Sequence, residues 1–190
     1  MTERAVTPVE LGDGVVLLRP WRLDDADAVF RACQDPQIQR WTTVPVPYRP
    51  EDAVGFVAGS PRRWAEGTAS FAVVDVGSGV LLGAMGLVTT PADGCAEVGY
   101  WVAPEARGRG VATRALRLLC RWAFDELGLR RLEWQAYVGN DASRRTALAV
   151  GFQLEGTRRQ GLLDRGHPVD GWFAGLLPGD LTRQPAASPD

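Results

Sequence analysis

The sequence predicts an α/β fold in which one mixed sheet is flanked by helices. Three observations carry this. Short apolar runs bounded by turn residues recur along the chain and read as strands. In the second half, two patterns of helical period separate such runs, and strand–helix–strand units imply parallel pairing. Elsewhere tight turns join neighbouring runs, which implies antiparallel hairpins. The 190 residues suit one domain, and 45% of them are hydrophobic, enough to bury a sizeable core.

The elements follow in order. Residues 1–10 read as a flexible start, 11–181 as a single domain, and 182–190, RQPAASPD with the preceding threonine, as a flexible tail. VVLLRP (Val15 to Pro20) reads as a strand. LDDADAVFRACQ (Leu23 to Gln34) reads as a helix with Asp24, Asp25 and Asp27 near the positive end of its dipole. WTTVPVPYRP (Trp41 to Pro50) carries three prolines and reads as a loop. PEDAVGFVAG continues as a short helix with Pro50 at its first position. SFAVVDV, the turn GSG and VLLGAMGLV make a hairpin, and CAEVGYWV (Cys95 to Val102) is the next strand. A helix spans about Val111 to Leu127, with Val111, Ala115, Leu118, Leu119 and Trp122 inward and Arg114, Arg117 and Arg121 solvated. RLEWQAYV (Arg131 to Val138) is a strand, and Ala142 to Val150 a helix closed by Gly151. FQLEGTRRQGLL and VDGWFAGLL flank DRGHP as a closing hairpin. The order is β-α-α-β-β-β-α-β-α-β-β.

Composition excludes several classes. Net charge is −2, so the chain as a whole is no nucleic-acid glue. No apolar run approaches the roughly 20 residues that span a bilayer. The start lacks the apolar core of a signal peptide, which together implies a cytoplasmic protein with no membrane partner. Cys33, Cys95 and Cys120 are odd in number and scattered, which fits free thiols rather than a disulfide framework or a zinc cluster. No His, Cys, Asp and Glu grouping has metal-ligand spacing. The sole histidine, His167, sits in a turn and reads as a solvated residue; its isolation argues against a Cys–His or Ser–His triad.

Gly108 and Gly110 stand immediately before the long helix. Unpaired N–H groups and partial positive charge gather at a helix N-terminus, and glycines let a large anion approach the backbone there. The reading is a phosphate or pyrophosphate cradle; a plain solvated loop is the alternative. Gly-Lys-Ser/Thr is missing, and the spacing is not GxGxxG, so the common nucleotide loops do not fit.

Arg107-Gly108-Arg109-Gly110-Val111-Ala112 matches Arg/Gln-x-x-Gly-x-Gly/Ala, and through it the chain resembles the GNAT superfamily of acyl-CoA-dependent N-acyltransferases. From about Val15 to Leu177 it resembles the RimJ/RimL subgroup. The matching stretches are LRPWRLDDADAV, QRWTTVPVPYRPEDA, AEVGYWVAPEARGRGVATRAL, NDASRRTALAVGFQLEGTRR and GHPVDGWFAGLL. The resemblance implies a strongly twisted mixed sheet whose central parallel strands splay to admit pantetheine. It implies transfer of an acetyl group from acetyl-CoA to a primary amine, with no metal.

The residue roles follow from that resemblance and from the chemistry. Backbone groups from Gly108 through Val111 to Ala112 hold the pyrophosphate, with Arg107 and Arg109 adding charge. Trp101, Val102 and the only asparagine, Asn140, together with Ser143, complete the cofactor side, and an N–H near Trp101 or Val102 serves the oxyanion. Glu97 shares a strand face with Gly99 and Trp101 and matches a carboxylate that takes the amine proton; simple binding of the substrate cation is the alternative. Where many relatives place a tyrosine acid this chain has Ala147, so Ser143 is the candidate to protonate the thiolate, with a helix cap as its plain alternative and Tyr137 as a weaker candidate. Trp41 and Tyr48, in the proline-rich loop, wall the acceptor site with Glu97.

The acceptor reading is a protein or peptide N-terminal α-amine, attacked directly in a ternary complex. An aminoglycoside or polyamine acceptor, for which Glu97, Asp164 and Asp170 would have to converge, is the alternative. A non-catalytic acyl-CoA-binding module is another, and a homodimer is left open.

Overall fold

The computed structural model describes residues 6–90 and 94–181. Eight strands among them form one sheet: β1 (Leu11–Gly12), β2 (Val16–Pro20), β3 (Thr68–Asp75), β4 (Leu81–Thr90), β5 (Cys95–Val102), β6 (Arg131–Tyr137), β7 (Gln153–Asp164) and β8 (His167–Leu176). Their order across the sheet is β1-β2-β3-β4-β5-β6-β8-β7. Six α-helices accompany them: α1 (Ala26–Ala32), α2 (Pro36–Trp41), α3 (Pro50–Ala58), α4 (Ser60–Ala65), α5 (Val111–Asp125) and α6 (Asp141–Val150). The expected mixed sheet flanked by helices is present, and so is each strand and helix read from periodicity.

Local chemistry accounts for the ends of these elements. Asp35 caps α2 by accepting from the Gln37 and Ile38 N–H groups, and Pro36 takes the first helical position, where no N–H is needed. Gly151 closes α6 at φ 118°, a conformation open to glycine. β3 is buried on both faces, as a continuous apolar run requires.

Two hydrophobic clusters sit on opposite faces of the sheet. On one, α5 covers the strands, and Trp64, Phe71 and Trp122 meet edge to face at centroid distances of 4.9–6.3 Å. On the other, α1 and α3 cover Ala72, Val74 and Ala84.

Several expectations are corrected. The helices α2 and α4 and the short β1 were not read from the sequence. Strand–helix–strand logic holds for β5–α5–β6, which pair in parallel, but β7 does not join β6: β8 inserts between them, antiparallel to both. Leu23–Asp25 form a 3-10 turn ahead of α1 rather than its first α-turn. Asp25 turns inward and binds Arg19 through two 2.8 Å contacts, with side-chain exposures of 9% and 8%. On α5, Arg114 is not merely solvated but pairs with Asp13 at 2.9 Å, and Arg117 donates to Ala149 O. Within the expected loose start, Val6 is buried and its N–H donates to Trp64 O; residues 1–5 and the tail 182–190 lie outside the described residues. Cys33 and Cys120 are buried free thiols and Cys95 is partly exposed.

Candidate active site

The site begins where the one parallel ladder stops. β5 and β6 pair from Cys95–Arg131 to Val98–Trp134 and no further. β5 then continues along β4 alone, and β6 along β8 alone. The gap opens into a cleft of about 1300 Å³ that runs from Glu97, past Trp101 and Val102, to the start of α5. The N–H of Ala103 donates to Leu82 O on β4 at 2.8 Å. Strand alternation therefore turns the Val102 N–H away from β4, toward the gap.

Gly108 and Gly110 bound the other end, at φ +73° and +74°. A Cβ on either would meet nothing within 4 Å, so the backbone conformation, not crowding, calls for glycine. The first intrahelical acceptor is Gly110 O, which takes the Arg114 N–H at 3.1 Å. The N–H groups of Val111, Ala112 and Thr113, all lining the cleft, are thus without helical partners. This is the geometry of a backbone anion cradle.

The arginines of the loop behave differently from expectation. Arg107 lines the cleft, but its Nη2 binds Asp35 Oδ1 at 2.5 Å and its Nε donates to Val102 O at 3.3 Å. Its partner Asp35 also caps α2, so Arg107 ties the glycine loop to that helix. Asp35 loses some carboxylate stability to burial, yet the Arg107 pairing and two backbone donors leave its acidity net strengthened. Arg109 is exposed, does not line the cleft and lends its field to Asp75 instead.

Glu97 lies at the opposite end of the gap, with Gly99 and Trp101 on the same strand face as expected. Its Oε2 accepts from Gln135 Nε2 at 2.9 Å. Burial pushes its carboxyl above the usual range, and the like charge of Glu133, its register partner on β6, adds to that; the Gln135 hydrogen bond opposes it. A carboxylate of raised pKa is a better proton acceptor than an ordinary one. Trp41 lines the cleft from α2, its Nε1 held by Gln37 at 3.0 Å, and a Cβ on Gly139 would meet its ring at 3.4 Å. Tyr48 is not there. It is 6% exposed in the second core cluster, against the Cys33 thiol, and burial raises the pKa of both groups.

Ser143 lines the cleft, but its hydroxyl is committed. It donates to Tyr100 Oη at 3.0 Å and accepts from Trp134 Nε1 at 3.1 Å, while Tyr100 donates to Ser143 O. Burial pushes the Tyr100 phenol up to about 12. This knot joins β5, β6 and α6 just beyond the end of the parallel ladder. Asn140 caps α6, its Oδ1 accepting from Ser143 N at 3.2 Å, so its amide nitrogen is left for the cleft. Ala147 is fully buried and faces the core, not the cleft. Tyr137 lines the cleft with its hydroxyl donated to Leu163 O at 2.8 Å. Among the described residues no group of His, Cys, Asp and Glu is placed to hold a metal ion, and no helix is long and apolar enough to cross a membrane.

Sequence reasoning missed Asp35, Tyr100, Trp134 and Gln135. Period-two alternation in RLEWQAY did carry one signal: it puts Glu133, Gln135 and Tyr137 on one face, which parallel register then sets beside Glu97. Nothing local marks Asp35 as a partner of Arg107.

Residues 16–153 match the model of an acetyltransferase (GNAT) domain. YdaF of Bacillus subtilis (strain 168), a candidate ribosomal N-acetyltransferase by its name, is 44% identical over 82 residues, 43% of this chain and 45% of YdaF. The ribosomal-protein-serine acetyltransferase of Escherichia coli (strain K12) is 36% identical over 70 residues, 37% of this chain and 39% of that protein. Each alignment thus spans less than half of the relative's length. Among solved structures, Mycobacterium smegmatis RimJ in complex with CoA-disulfide has a TM-score of 0.79 at 26% identity, covering 95% of this chain and 90% of that one.

Proposed function

The chain belongs to the GNAT acetyltransferase family, and from that premise we propose that it transfers an acetyl group from acetyl-CoA to the N-terminal α-amine of a protein or peptide, in a ternary complex. The observation that carries this is the cleft joining a backbone anion cradle to the Glu97 carboxylate through a gap between parallel strands. The names of the Escherichia coli and Bacillus subtilis relatives support a ribosomal-protein acceptor, and the CoA-disulfide bound by the Mycobacterium smegmatis relative supports the donor.

The residues present fit such a donor. Unpaired N–H groups at the start of α5, reached past Gly108 and Gly110, suit a pyrophosphate, and the free amide nitrogen of Asn140 suits a carbonyl in the gap. Bound there, acetyl-CoA supplies an activated acyl carbon and a thiolate leaving group.

Glu97 takes the proton from the acceptor ammonium, directly or through water. An α-amine, with a free pKa near 8, needs less help than a lysine at about 10.4. The Val102 N–H donates to the acyl oxygen as charge grows on it. The engagement of the Ser143 hydroxyl by Tyr100 and Trp134 favours a positioning role in the β5–β6–α6 knot over the acid role expected from the sequence. A thiolate, with a free pKa near 8.5, leaves without a dedicated acid.

The test is turnover of acetyl-CoA over peptides with free N-termini, lysine peptides, polyamines and aminoglycosides, read by mass spectrometry. Acetylation of the α-amine peptides is expected. Modification of polyamines or aminoglycosides alone would replace the acceptor reading, and no acetylated product from any amine would overturn the reaction.

A further inference from the structure

Opposite Glu97 across the floor of the cleft, we propose a second anchor for the acceptor, formed by Arg63 and Ser70, that takes a carboxylate carried by the acceptor near its amine. This rests on the α-amine reading above and adds a recognition element to it.

Arg63, on α4, lines the cleft beside Ser70 and Thr68. Its guanidinium stacks on the Phe56 ring with Cζ 4.6 Å from the centroid. Nη2 donates to Phe56 O at 2.5 Å and approaches Ser70 Oγ at 3.5 Å. Phe56 is in the last turns of α3, so one N–H answers that helix's negative end. The rest of the fork is unanswered. Nε is buried with no hydrogen-bond partner, and no carboxylate among the described residues pairs with this group; burial alone shifts it, lowering its pKa. Three other arginines that are buried or partly buried have acidic partners: Arg19 has Asp25, Arg114 has Asp13 and Arg131 has Glu133 and Glu155; Arg144, whose Nε is likewise buried without a hydrogen-bond partner, stacks on Trp172 and does not face this corner. A half-buried cation without one is costly, and that cost falls when an anion arrives.

Ser70 points the same way. It is 6% exposed, and its Oγ accepts from Trp21 Nε1 at 3.1 Å as well as facing Arg63. With both lone pairs so used, its O–H is left to donate. The unanswered guanidinium N–H groups and the Ser70 O–H thus give this corner of the cleft donors that favour an anion.

The register fixes the distance to Glu97. Thr68, Val88 and Glu97 lie in one row across β3, β4 and β5, and Ser70, Gly86 and Gly99 in the next row on the same face. Beyond Ser70 the second row of the floor is bare: Gly86 and Gly99 have no side chains, and a Cβ on Gly99 would meet nothing within 4 Å. Two strand spacings and a two-residue offset along the strands make the span from Glu97 to Ser70 about 12 Å. An extended chain covers about 3.5 Å per residue. A peptide whose α-amine meets Glu97 thus brings to Arg63 either the C-terminal carboxylate of a tripeptide or an acidic side chain at its second or third residue.

The test uses product-like peptides, which need no turnover. N-acetyl-Ala-Ala-Ala with a free carboxylate, its carboxamide, and N-acetyl-Ala-Ala-Glu carboxamide are titrated by calorimetry into protein saturated with CoA. A charge-assisted contact predicts that one or both carboxylate peptides bind about tenfold or more tighter than the neutral one; which of them does separates terminal from side-chain recognition. Arg63→Gln and Ser70→Ala should each narrow that preference with CoA affinity unchanged, and Ser70→Ala carries the test if Arg63→Gln does not fold. Equal affinity for all three peptides, no binding of any, or a preference that survives in the folded variants overturns the anchor. Acetylation of the free-amine forms is read separately: an Arg63-dependent preference without acetylation keeps the anchor and rejects the α-amine reading.

Discussion

Gly110→Ala separates the cradle's chemistry from its folding cost. Gly110 sits at φ +74° and a Cβ there meets nothing within 4 Å. The folded protein therefore bears only the left-handed backbone strain, about 1–2 kcal/mol. For a chain of this size that lowers Tm by about 2–8 °C. Gly128 is a matched control: it lies at φ +65°, also with open space around its Cβ, but it follows the far end of α5 and does not line the cleft. Gly128→Ala should show a Tm loss of the same size with CoA affinity unchanged. Gly110→Ala should in addition weaken CoA by about 10- to 100-fold for each charge-assisted N–H contact it displaces, and Gly110→Val more. The assays are thermal denaturation by circular dichroism and calorimetric titration with CoA. A folded Gly110→Val that binds CoA like the unaltered protein would refute the backbone cradle.

Glu97→Gln should cut kcat/KM by about 10²- to 10⁴-fold while sparing CoA affinity. Because burial raises the folded Glu97 carboxyl, its carboxylate form opposes folding as pH rises through that value, so the same substitution should raise Tm near neutrality; in the unaltered enzyme kcat/KM should fall as pH drops through the raised value, above the ordinary 4.5. Ser143→Ala should cost about 1–3 kcal/mol of stability, by leaving Trp134 Nε1 and Tyr100 short of a partner, yet lower kcat less than the 10²-fold or more that marks a general acid. Gly99→Val should leave Tm and CoA affinity unchanged, since its side chain enters open space, and raise KM for the acceptor; an unchanged KM would remove Gly99 from the acceptor floor. Asp25→Asn should cost about 3–5 kcal/mol by stranding Arg19. Its carboxyl is buried, but Arg19 and the Arg22 N–H more than offset that and depress it, so the pair's contribution should be full above the ordinary 3.8 and fade as pH falls through the lower folded value in acid titrations of stability.

What could be read from the sequence was what is local or periodic. β5 reproduces its expected bounds, and α5 and α6 start within a residue of theirs, because apolar period, capping and glycine placement all act within a few residues. The β6–β8–β7 order escaped for the opposite reason. A strand–helix–strand pattern gives direction, and β6 and β7 do run parallel, but adjacency is decided by which edge the last hairpin offers, and β8 buries Ala174 and Leu176 by inserting between them. α2 escaped because its six residues carry too few repeats to show a period; its signal was the cap, Asp35-Pro36.

The same division runs through the site. The positions of Glu97, Gly110 and Asn140 could be read because each is fixed by its own backbone setting: a strand face, a left-handed turn, a helix start. The partners of Arg107 and Ser143 and the burial of Tyr48 could not be read, because they depend on residues distant in sequence. Asp35 lies 72 residues from Arg107 and Tyr100 lies 43 from Ser143. Each partner changes the chemistry: Arg107 as a free cation would serve only the anion, whereas bound to Asp35 it also fixes where α2 and its Trp41 stand. Under the proposed function, the donor loop and the acceptor wall are therefore one mechanical unit. A substitution that frees Arg107 should consequently be felt in acceptor KM as well as in CoA affinity, which a purely electrostatic role for that arginine would not produce.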